Sequence, residues 1–129
     1  MNNVLIRTES HFTVERKRVR KTVEDVLHDK GVKGKAEVSI NVVGNRMMKF
    51  LNKKYRNLDE TTDVLSFPMS ETGNDPFVAP PDGILHLGDI VISYPQAREE
   101  ARQENKLVDD KIDELVTHGM LHLLGQHHE

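Results

Sequence analysis

The sequence predicts one α+β domain, residues 1–129, in which helices cover a small mixed sheet of about four strands. Three observations carry this. The chain has 129 residues, the length of one domain. Segments with apolar residues at every second position alternate irregularly with segments in which they recur every three or four. Capping residues, glycines and prolines punctuate the junctions.

In chain order, "NVLIR" (3–7) reads as a short strand. Thr13 is placed to cap a helix running to about Asp29, with Val19, Val23, Val26 and Leu27 as its apolar stripe and Gly31 past its end. "AEVSINVVG" (36–44) alternates, with Ala36, Val38, Ile40 and Val42 on one face of a half-buried strand. A helix over about 45–55 carries Met47, Met48, Leu51 and Tyr55, and methionine at helical spacing reads as core filler. "DVLSFP" (63–68) is a third strand stopped by Pro68, and 69–83, with two Gly and three Pro, reads as a loop. "ILHLGDIVIS" (84–93) is a fourth strand. A charged surface helix follows over 94–106 with Pro95 in its first turn, and a last helix spans 109–124, acidic at its start and ended by Gly125.

Charge is divided along the chain. Residues 1–56 hold 14 Lys/Arg against 6 Asp/Glu, and residues 57–129 hold 4 against 15. This fits either two solvated faces or a basic face for a polyanion such as RNA. The run "RKRVRK" (16–21) carries the same two readings. No cysteine is present, which excludes disulfides and thiolate metal sites. The first residues do not read as a signal peptide, and no apolar run reaches membrane length, so a soluble cytoplasmic protein without a membrane partner is expected.

Four of the seven histidines fall in "HGMLHLLGQHHE" (118–129). His118 and His122 are four apart on a helix, about 6 Å along one face. Two imidazoles so placed can bind one metal ion. Gly125 lets the chain turn back in a left-handed conformation, and His128 then returns toward the same ion. His127 has three open roles: third ligand in place of His128, a group behind the ligands, or a solvent-facing side chain. Its spacing from Gly125 favours His128 as the ligand. Three neutral imidazoles suit Zn first, with Ni, Cu or another divalent transition metal also possible. Three protein ligands leave one position open, the mark of a catalytic site. His86 reads as packed in a strand, His28 as a favourable cation at a helix C-terminus, and His11 as surface loop.

The spacing H-x3-H-x2-G-x2-H also occurs in the metzincin proteases, so the last helix reads as a metzincin-like metal helix. The glutamate that serves those enzymes as general base is Gly119 here, and the chain ends one residue after His128. The cradle is kept and the peptide-hydrolysis machinery is absent, leaving metalloprotease a remote alternative.

Three segments resemble the signatures of the YbeY family of rRNA maturation endoribonucleases: "LNKKYRNLDETTDVLSFP" (51–68), "LGDIVIS" (87–93) and "HGMLHLLGQHH" (118–128). The resemblance implies a single α+β domain and a metal held by three histidines, here His118, His122 and His128. It implies single-strand-specific cleavage of RNA rather than DNA, in rRNA maturation that includes the 16S rRNA 3′ end, and in ribosome quality control. Ribosomal proteins or assembly factors are then the expected partners. Arg56 falls on the family's functionally important arginine, and its planar fork suits phosphate oxygens; a surface ion pair with Asp59 or Asp63 is the plainer alternative. Two departures stand out. Gln126-His127 replaces the signature's Tyr-Asp, so His127 must do the work of any catalytic carboxylate, which an imidazole titrating near about 6.5 can do. The chain also stops where family members continue into a short helix. The catalytic set is thus Arg56, His118 and His127. The competing class is a non-catalytic ribosome assembly or RNA-binding factor with a structural metal site.

Overall fold

The structure, a computed structural model, describes residues 2–9, 11–69 and 83–125. In chain order its elements are β1 (Asn3–Thr8), α1 (Arg16–Asp29), β2 (Lys35–Val43), α2 (Asn45–Arg56), β3 (Val64–Pro68), β4 (Ile84–Ser93), α3 (Tyr94–Gln103) and α4 (Val108–Leu123). The strands form one sheet in the order β1-β2-β4-β3. β1, β2 and β4 are parallel, and β3 runs antiparallel along the edge. The sheet is mixed, as the sequence predicts.

One face of the sheet carries the main core. Ala36, Val38, Ile40, Ile90 and Ile92 meet Val19, Val23 and Leu27 of α1 and Ile112, Val116 and Met120 of α4. α2 covers part of the opposite face, where Met48 packs with Leu65 and Val91. Three readings change. α1 begins at Arg16 after Glu15, with no side-chain cap, so Thr13 does not cap it. Met47 and Tyr55 of α2 are exposed rather than core: Met47 lies off the Met48–Asn52 stripe that meets the sheet, and Tyr55, on that stripe but in the last turn, meets only Phe67 of β3. The run 16–21 stays on the surface but is partly paired within the fold: Arg18 is bound to Asp110 and Asp113 of α4, and Arg16 donates to the Ile6 carbonyl at 2.7 Å. Those bonds remove Arg18 from the phosphate-gripping role open to it in the sequence.

β4 does not alternate evenly. Leu85 and Leu87 face the core before residue 88, and Ile90 and Ile92 after it. The parity flips because Glu37 pairs with His86 and Val38 with Gly88, which leaves Leu87 as an extra residue. Such a bulge lets both halves of the strand bury their apolar residues on one face. Gly88 makes it possible: its φ is +133°, and a β-carbon there would lie 2.2 Å from the Phe67 carbonyl oxygen. Gly88→Ala is therefore expected to cost about 3 kcal/mol or more, combining backbone strain with overpacking. Gly34→Ala is the control. Gly34 also has a positive φ, +81°, but open space around it, so about 1 kcal/mol is expected. Urea midpoints of the two variants check the difference.

Lys111 is the buried cation of α4, its side chain 8% exposed. Its ammonium lies 3.1 Å from Glu104, 3.3 Å from Glu114 and 3.4 Å from Glu100. Burial pulls Lys111 down, but Glu104 and Glu114 outweigh it and leave the ammonium above its ordinary range. Glu104 is held below the usual carboxylate range by Lys111 and then Lys106, and Glu114 by Lys106 and then Lys111, against burial. Glu100 goes the other way: burial first, then Asp63, push it up. A carboxylate with a depressed folded pKa contributes stability above its unfolded value, near about 4.3, and loses it as pH falls through the folded one. Unfolding free energy measured from pH 7 down to 3 should thus fall more steeply below about pH 4 for the native chain than for Lys111→Met, which lacks a cation that depresses both groups. Equal slopes would remove Lys111 as the cause.

Candidate active site

α4 buries Ile112, Leu115, Val116, Gly119, Met120 and Leu123, a stripe at helical spacing that lays the helix on the sheet. Gly119 sets how close it lies. A β-carbon there would stand 2.9 Å from Cγ2 of Ile90. One turn further on, His122 meets Ser66, the residue of β3 paired directly opposite Ile90. The Ser66 hydroxyl is hydrogen-bonded to Nδ1 of His122. Ser66 points to this face because Leu65 and Phe67, its neighbours, pack on the other. The half-buried His122 ring is thereby held by a strand 56 residues away in the chain.

His118, one turn before His122, is exposed. The structure therefore brings His118 and His122 to one side of α4, as the spacing predicts. α4 ends at Leu123, and Gly125 takes φ +79°, the left-handed exit expected of it. His127 and His128 lie outside the described residues. Among the described residues, no group of three metal-binding side chains is assembled.

Arg56 is the last residue of α2 and is exposed. The helix stops there because Asn57 adopts φ 59° and donates to the Lys53 carbonyl at 3.0 Å, while Leu58 donates to Asn52 at 3.3 Å. Asn52, buried at 1% exposure, donates through its side chain to the Glu60 carbonyl at 2.9 Å and ties the following loop down. Neither expected ion pair of Arg56 forms among the described residues. Asp59 lies 3.9 Å from Lys49 instead, and the Asp63 main-chain carbonyl accepts from the Ser93 N–H at 2.9 Å. Sequence reasoning missed Ser66 and Asn52; both are small polar residues whose roles depend on a partner elsewhere.

Of the other histidines, His28 and His11 keep their readings, whereas His86, read as packed, is partly exposed. His86 Nδ1 lies 3.2 Å from Glu37 on the neighbouring strand. His28 is in the last turn of α1, and the His11 ring lies tilted against Phe12 in a surface turn. A cavity of about 610 Å³ between α1 and α4 is lined by Asp25, Asp29, Asp110, Asp113 and Glu114. Most of these carboxylates are already engaged, Asp110 and Asp113 by Arg18, Asp25 by Lys21 and Glu114 by Lys106, so the histidine side of α4, with two imidazoles one turn apart, is the better candidate.

The sequence from residue 5 to residue 129 matches the family model described as Endoribonuclease YbeY. The chain belongs to the YbeY endoribonuclease family. A relative of that name from Dehalococcoides mccartyi is 40% identical over 98% of this chain and 84% of its own length. Another from Oceanobacillus iheyensis is 38% identical over 85% of this chain and 72% of its own. The fold is similar to the solution structure of TM1509 from Thermotoga maritima, with a TM-score of 0.60 and 25% identity over 93% of this chain and 71% of that one. The family's three signature segments are, in this fold, the end of α2 running into β3, the bulged strand β4, and the end of α4. Among the described residues, no helix is long and apolar enough to cross a membrane.

Position 119, where a metzincin carries its base, faces Ile90 rather than the histidines' side. A carboxylate there would be buried against the sheet. Gly119→Glu is accordingly expected to lose at least about 3 kcal/mol of stability and to gain no peptidase activity; a denaturant melt and a peptide assay check both.

Proposed function

We propose that this chain is a metal-dependent endoribonuclease that cleaves single-stranded RNA during rRNA maturation, including the 16S rRNA 3′ end, and in ribosome quality control in the cytoplasm. The observation that carries this is the His118/His122 pair on α4, backed by Ser66, in a chain of the YbeY endoribonuclease family. The donor chemistry fits a divalent transition metal, Zn first. His118, His122 and His128 would hold it, His128 on the strength of the sequence motif. Ser66 engages Nδ1 of His122, so Nε2 would be the nitrogen offered to a metal, and a hydroxyl behind a ligating imidazole would fix its ring. A bound ion supplies Lewis acidity at the scissile phosphate.

The protein's own part is positioning and proton transfer. Arg56 is exposed at a helix end and offers two parallel donors to non-bridging phosphate oxygens. There it stabilises charge that builds as the P–O bond breaks. His127 is the candidate acceptor of the nucleophile's proton. Ribosomal proteins or assembly factors are the partners this reading implies. A second reading, a non-catalytic assembly factor, is favoured by one feature: Gln126-His127 in place of the signature's Tyr-Asp.

Metal analysis and single-turnover cleavage of single-stranded RNA on the same preparations separate the two. Native protein should bind one ion and cleave. His118→Ala, His122→Ala and His128→Ala should each lose the ion, and His127→Ala should keep it. Ser66→Ala should weaken metal affinity by about 10- to 100-fold. Arg56→Ala should keep the ion and the melting temperature but lose about a hundredfold in rate, with Arg56→Lys recovering part. A loaded native protein that leaves RNA intact would establish the assembly-factor reading. Wild-type rates in Arg56→Ala would end its assignment to the phosphate.

A further inference from the structure

Phe50 has no structural reason to be where it is. α2 presents Met48 and Asn52 to the sheet, and Phe50 lies on its outer side, 58% exposed. An aromatic ring in that position costs solvation without adding to the core. Its surroundings are cationic. α2 carries Arg46, Lys49, Lys53, Lys54 and Arg56 and no acidic residue. Lys49 is drawn toward Asp59, but Arg46, Lys53, Lys54 and Arg56 have no carboxylate within ion-pair distance among the described residues. Lys54 instead sits over two rings, 5.9 Å from the centre of Phe50 and 5.2 Å from that of Tyr55. Tyr55 is itself 56% exposed and edge-on to Phe67 of β3 at 5.1 Å.

Five of the seven exposed large apolar residues among the described ones, Met47, Phe50, Tyr55, Leu58 and Met69, belong to α2, its following loop or the end of β3. Rings interleaved with unpaired cations are the composition of a surface for unstacked bases on a phosphate chain. A duplex hides its base faces, and an acidic peptide would need the cations but not the rings.

We propose that the exposed surface of α2, from Phe50 on its outer side round its C-terminal end to Tyr55, is a landing platform for single-stranded RNA, with a base stacked on Phe50, a second on Tyr55, and Lys53, Lys54 and Arg56 on the intervening phosphates. The inference rests on the nuclease reading for its polymer, and extends it by placing a binding surface across the edge strand from the histidines. Tyr55 touches Phe67 on one face of β3, and His122 touches Ser66, the adjacent residue, on the other. Among the described residues, a strand leaving Tyr55 and Arg56 has the edge strand β3 to pass before it reaches α4.

The test is equilibrium binding of a fluorescent 12-nucleotide RNA at fixed low salt, in chelator so that no cleavage intervenes. A 12-mer with abasic sites at its centre carries the same charge and serves as the second probe. Phe50→Ala should melt like the native chain, because the ring is exposed, and should bind the base-bearing strand about tenfold more weakly. Phe50→Trp should keep the affinity, and Phe50→Leu should behave as Ala. On the abasic strand, native protein and Phe50→Ala should bind alike. Native affinity in Phe50→Ala, or an equal loss on both strands, overturns the platform. So does a change in self-association with RNA affinity unchanged, which would assign the face to a second copy. Cleavage with metal restored is read separately: loss of the platform with cleavage intact leaves the nuclease standing, and the binding pattern without cleavage removes the nuclease alone.

Discussion

The contact of Gly119 with Ile90 sets the position of the histidine-bearing helix against the sheet. With no β-carbon at 119, α4 settles onto the centre of the sheet. Ile90 is paired in register with Ser66, so the next turn of the helix arrives over Ser66 with an imidazole. A larger residue at 119 would lift α4 and open the gap between His122 and the strand that orients it. The same contact turns position 119 into the core, which is why this helix holds the histidine spacing of a metalloprotease without room for that enzyme's base.

The sheet has to be accurate for this to work, and its accuracy depends on one glycine. The bulge at Leu87 and Gly88 allows Leu85, Leu87, Ile90 and Ile92 all to reach the main core. A regular strand would place one of those pairs on the wrong face. Gly88 also lets β3 approach, since its missing side chain is where the Phe67 carbonyl passes. Thus the glycines of two signature segments, Gly88 and Gly119, both serve close approach to Ile90 or its neighbours, and together they locate Ser66 under His122.

The basic half of the chain divides into two unlike parts. α1 spends Arg18 on Asp110 and Asp113, which join it to α4 across 92 and 95 residues. α2 leaves four of its five cations without a carboxylate partner among the described residues. Charge that is paired within the fold adds little attraction for a polyanion, whereas unpaired charge around exposed rings adds much. The loop after α2 is held by Asn52 and Asn57, so Arg56 is presented from a rigid helix end.

What the sequence by itself determined is local or periodic. The alternation of β2, the apolar stripe of α1, the span Ile84–Ser93, the turn of helix between His118 and His122, and the left-handed exit at Gly125 all follow from residues within one element. The motif spacing also sufficed to reach the family. Tertiary structure alone decided the rest, because each remaining feature joins residues distant in the chain. Thr13 failed as a cap because the helix starts three residues later. Met47 is exposed because burial depends on which side of α2 the sheet meets, and Tyr55 because its turn of the helix reaches only the edge strand, at Phe67. Ser66 becomes the partner of His122, and Arg18 the partner of Asp110 and Asp113, only once strands and helices are packed. Composition places rings and cations on the same helix; only packing decides which of them turn away from the core.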